Sequence, residues 1–138
     1  MNKPLVIFLI LSFSLVACAN TKEKVTEVNN TRFLLEVVKD DGSNESQFIH
    51  LQLHIIPLKR EIDWRVLESK DLNESLWLSN SQVIRIAPSF MHYENQFNLS
   101  SKHVIHAFFE KEVLQKSNTL FFDAHDIECG IINIKLKL

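Results

Sequence analysis

The chain predicts a mainly β fold, a transthyretin-like or immunoglobulin-like β-sandwich of about seven strands with a short helical insertion. Three observations carry this. Short segments alternate apolar and polar residues with period two, most cleanly FIHLQLHII (48–56) and IINIKLKL (131–138). Clusters of Asp, Asn, Ser and Pro separate those segments. A single stretch, 59–80, has a helix-compatible composition.

Each element can be justified in order. RFLLEVV (32–38) is an apolar run with β-branched residues and reads as a strand. KDDGSNESQ (39–47) is a loop. In FIHLQLHII, Ile49, Leu51, Leu53 and Ile55 share one side; His50, Gln52 and His54 share the other. That is a half-buried antiparallel strand, and Pro57 ends it. Residues 59–80 predict one or two short helices packed on the sheet, with Ile62, Val66 and Leu67 on one side. Asp71 or Asn73 is expected to cap a second turn that presents Leu76 and Trp77. Trp64 and Trp77 are expected to anchor this insertion to the core, with contacts to a partner as the alternative. QVIRIA (82–87) alternates up to Pro88, and a strand is expected over 96–99. HVIHAFF (103–109) is apolar on both faces and predicts a central strand. EKEVLQKSN is a polar connection with a helical turn, and TLFFDA (119–124) is a short strand. In the last segment Ile132, Ile134, Leu136 and Leu138 face in, while Asn133, Lys135 and Lys137 face out. Outward lysines suit an edge strand. Gly42 and Gly130 are the only glycines, which argues for long Greek-key connections over tight hairpins.

The start of the chain is of another kind. The apolar run from Leu5 to Val16 is about twelve residues, short of the roughly twenty that cross a bilayer. Behind Lys3 it matches a secretory leader. Leu15-Val16-Ala17-Cys18 resembles a bacterial lipobox. That resemblance implies cleavage after residue 17 and a covalent lipid on Cys18. Ala19, where Asp would favour inner-membrane retention, implies the periplasmic face of the outer membrane. The expected organisation is a leader at 1–17, a lipidated Cys18 with a flexible tether to 30, and a sandwich domain at 31–138. An ordinary secretory signal is the alternative. The sequons at Asn29, Asn44, Asn73 and Asn98 leave a third, a secreted eukaryotic glycoprotein.

Composition narrows the function. The mature chain of about 120 residues is one domain by length. Its formal charge of −2 becomes one unit more negative when Lys3 leaves, so it has no electrostatic footprint for nucleic acid. With Cys18 lipidated, Cys129 has no disulfide partner and reads as a small buried hydrophobe; with Cys18 free, a bridge between the two cysteines is the alternative. No nucleophile elbow, phosphate loop, HExxH or zinc pattern occurs, so no catalytic residue, metal ligand or small-molecule substrate is assigned. His50 and His54, about 13 Å apart on a strand, cannot share an ion. His103 and His106 point to opposite faces. DAHDIEC (123–129) collects carboxylates, an imidazole and a thiol, but reads as a solvated turn.

Lipobox, tether and sandwich together resemble the TssJ family, the outer-membrane lipoproteins of type VI secretion systems. HVIHAFFEKE (103–112), with Ala107, Phe108 and Phe109, is similar to a family strand, and IINIKLKL resembles its last strand. Pro88-Ser89 departs from the family's Pro-Gly turn. The resemblance implies a non-enzymatic scaffold. Its first protruding loop, with Asp40, Asp41, Gly42, Ser43, Asn44 and Glu45, would bind the periplasmic domain of an inner-membrane secretion protein. The lipid on Cys18 would be its only attached group. A periplasmic domain binding a small ligand, metal or inhibitor is the competing expectation.

Overall fold

The computed structural model describes residues 24–38, 46–80, 84–94, 102–114 and 117–137. They build a β-sandwich of two antiparallel sheets. The larger sheet contains β1 (Lys24–Val28), β2 (Thr31–Val38), β3 (Phe48–Pro57), β6 (Phe90–Glu94) and β7 (His103–Glu110), in the order β1-β2-β3-β7-β6. The smaller contains β4 (Leu76–Ser79), β5 (Arg85–Ile86), β8 (Ser117–Asp123) and β9 (Ile131–Lys137), in the order β5-β4-β8-β9.

Period-two alternation sets the two inner faces. In β3, Leu51, Leu53 and Ile55 point inward and are buried. In β9, Ile132, Ile134 and Leu136 do the same, and Lys135 and Lys137 stay exposed on the edge strand. The two faces meet where the Phe33 and Phe122 rings contact, centroids 6.4 Å apart. Each such fully buried side chain contributes about 1.5–3 kcal/mol. β7 lies between β3 and β6, an interior place that its two apolar faces require.

The N-terminal boundary differs from expectation. Lys24–Val28, read from the sequence as tether, is a strand paired with β2 from Lys24↔Leu35 to Val28↔Thr31. Asn29 and Asn30 close the hairpin with φ of 48° and 52°. Both values are the left-handed geometry of the two-residue turn that suits strand twist. Asn tolerates it without glycine, so the low glycine count did not forbid a tight hairpin. Expected tether residues before Lys24 lie outside the described residues.

The insertion is shorter than 59–80. Asp63 accepts a hydrogen bond from the Arg65 amide (3.0 Å) and starts α1 (Trp64–Glu68). Asp71 accepts one from the Asn73 amide (3.1 Å) and starts α2 (Leu72–Ser75). Leu76 and Trp77 then belong to strand β4, not to a helical turn. Its buried and half-buried positions alternate over four residues, too short a run to stand out in sequence. Ile62 and Leu67 are buried in the core. The strand expected at 96–99 lies outside the described residues, and β6 occupies 90–94 just before it.

Candidate functional site: the outer face of the larger sheet

Strand pairing lines up the outward residues of this sheet in rows. Val38, His50, Phe108 and Phe90 stand side by side across β2, β3, β7 and β6. Glu36, Gln52, His106 and His92 form the next row. Leu34, His54, Val104 and Glu94 form the third. Alternation in the sequence assigns His50, Gln52 and His54 to one face; the sheet order brings the other residues alongside them.

The first row is a ladder of rings. His50 stacks on Phe108 with centroids 4.3 Å apart, and Phe108 stacks on Phe90 at 4.2 Å. Phe48 meets the edge of Phe90. Cross-strand ring pairs of this kind stabilise a sheet, yet Phe90 remains half exposed on edge strand β6.

The second row carries the polar chemistry. His106 Nε2 lies 2.6 Å from Glu94 Oε2, and His106 Nδ1 lies 2.8 Å from His50 Nε2. An ionised carboxylate only accepts. His106 therefore carries its proton on Nε2, and its Nδ1 accepts from the His50 Nε2–H. His92 lies flat on His106, with centroids 4.5 Å apart and planes within 8°. Carboxylate and two imidazoles thus form one hydrogen-bonded line across β6, β7 and β3.

His54, in the third row, is buried, and its Nε2 lies 3.2 Å from Glu36 Oε2. Burial, and secondarily the Lys102 charge, hold its pKa below the ordinary value; Glu36 pulls the other way. His103 faces the core, fully buried, and hydrogen-bonds Tyr93 Oη at 2.8 Å. Burial of Tyr93, reinforced by Glu68, pushes its hydroxyl pKa up.

Cys18 and the loop residues Asp40, Asp41, Gly42, Ser43, Asn44 and Glu45 lie outside the described residues. The flanks of that loop do not. Val38 is in the ring-ladder row opposite His50, and Gln47 accepts a hydrogen bond from the Lys111 amide. These described flanks lie at the end of the sheet where Phe48, Phe90 and Phe108 sit. Lys24, paired with Leu35, lies toward that same end.

In the 123–129 turn the charged groups are divided among separate partners. Asp123 binds His125 (2.6 Å), which depresses the Asp123 pKa, and Asp126 binds Lys70 (2.7 Å). Cys129 is buried and, among the described residues, forms no disulfide. Among the described residues, no three His, Cys, Asp or Glu side chains are grouped to hold a metal ion. Trp77 is not a core anchor. It faces outward from the smaller sheet, stacked on Phe121 at 5.5 Å and covered by the Arg85 guanidinium at 4.1 Å.

Comparison with protein-family models, curated proteins and solved structures finds no match to this chain. Among the described residues no helix is long and apolar enough to cross a membrane.

Proposed function

We propose that this chain is a lipid-anchored docking module of a bacterial cell envelope. It is held at the periplasmic face of the outer membrane through Cys18, and it binds the periplasmic domain of an inner-membrane protein in a secretion complex of type VI kind. The observation that carries the reading is Leu15-Val16-Ala17-Cys18 behind a short apolar leader, followed by a β-sandwich. Cys18 stands six positions before Lys24. Even fully extended, that link reaches about 20 Å, so the domain works close to the lipid surface. The described flanks of the loop that carries Asp40, Asp41, Asn44 and Glu45 lie at the ring-ladder end of the larger sheet, and in this reading loop and ladder together supply the contact. Acidic and amide groups there recognise a partner by charge and hydrogen bonding, while the Phe90 edge adds apolar area.

A photoreactive residue at position 44, in full-length protein in its native membranes, tests the assignment. It should cross-link an inner-membrane protein, and one at Asn133 on the smaller sheet should not. Replacing Asp40, Asp41 and Asn44 with Ala should reduce capture of that protein at least tenfold with an unchanged melting temperature. Undiminished capture would remove the loop from the function.

A further inference from the structure

We infer that His50 and His106 form a two-nitrogen seat for a late first-row divalent metal ion, with Cu(II) the tightest of the series. The inference does not rest on the docking reading. His50 Nε2 and His106 Nδ1 face each other at 2.8 Å across β3 and β7. Two metal–imidazole bonds of about 2.0–2.1 Å, set at tetragonal to tetrahedral angles, hold their nitrogens about 2.9–3.4 Å apart. Opening that separation by a few tenths of an ångström, with a swing of both rings that turns their lone pairs onto a common point, converts the hydrogen bond into a chelate.

The surroundings suit that exchange. Glu94 takes the His106 Nε2–H at 2.6 Å. A carboxylate on the far nitrogen of a ligating imidazole fixes its tautomer, orients the ring and raises its basicity. Here it leaves the lone pair of Nδ1 aimed at His50. On binding, His50 moves its single N–H proton from Nε2 to Nδ1 by exchange with water, which frees the Nε2 lone pair for the ion. The His106 side chain is 12% exposed, with half-buried His50 and exposed His92 on either side of it. His92, parallel to His106 at 4.5 Å, restricts it further. Water completes the coordination. Imidazole pairs of this type favour Cu(II) over Ni(II) and Zn(II).

Calorimetric titration of the full chain with Cu(II), in glycine buffer to suppress weak sites, should give one ion per chain. His50→Ala and His106→Ala should each weaken binding at least tenfold, Glu94→Gln about tenfold or more, and His125→Ala not at all. Imidazole ¹⁵N resonances of the unmutated protein give a reading that does not depend on how a variant folds. Substoichiometric Cu(II) should broaden His50 and His106 first and leave His125 sharp. Wild-type affinity in His50→Ala, or equal broadening of all histidines, would overturn the assignment.

Discussion

His54 shows what burial does to a titratable side chain on this face. It is 6% exposed, and its Nδ1 has no hydrogen-bond partner among the described residues. Its folded pKa lies below the ordinary 6.5 because burial, then Lys102, outweigh Glu36. Between the folded value and 6.5 the unfolded chain binds more protons than the folded one. Stability therefore falls as pH drops below about 6.5 and levels off below the folded pKa. Urea midpoints measured from pH 7.5 to 5 should decline in the natural chain, and His54→Leu should flatten the decline. An equal slope in both proteins would show that the transition belongs to another group. Asp123, depressed by its bond from His125, contributes stability that is lost only as pH falls through a value below 3.8, outside that window. Alternation placed His54 opposite the core correctly. Its partner Glu36 is 18 residues away and becomes adjacent only through the β2–β3 register, which period two does not encode. The same holds for His50 and His106, 56 residues apart.

At the scale of elements, β1 and its turn are most open to test. Asn30 sits at φ 52° in a two-residue turn, where a β-branched residue pays the left-handed penalty in full. Asn30→Val should lower unfolding free energy by about 1–2 kcal/mol, read from urea denaturation. A change within error would show that the turn relaxes into another type. Asn29 is the poorer choice for this test, because its side chain also donates to the Glu128 carbonyl. β1 was hidden in the sequence because KVTEV is mostly exposed and follows a polar run, so composition favoured a tether. The Asn-Asn pair between β-branched residues was the signal available. Long strands were legible for the opposite reason. β3 and β9 each bury one full face, so alternation persists over enough residues to be seen. β4, with four residues, and β5, with two, are defined by pairing with β8 and with each other rather than by their own pattern.

For the whole molecule, the sandwich was readable because period two states which side chains face inward, and inward faces must meet another layer. The order of strands was not readable, since alternation is blind to which strand lies alongside. Candidate chemistry divides the same way. Cys18 is a local signal in contiguous residues and was visible at once, whereas the His50–His106–Glu94 line depends on three strands coming together. Cys18 is proposed as the lipid anchor, with the sandwich as its cargo. The most direct test of that role is intact-mass analysis of the full-length chain expressed in a bacterial host with lipoprotein processing, beside Cys18→Ser. Anchoring through Cys18 predicts a membrane-bound product that begins at Cys18 with the mass of a diacylglyceryl group and an amide-linked acyl chain, and an unmodified Cys18→Ser protein. A soluble product with a free Cys18 thiol, or one cleaved at another position, would contradict it.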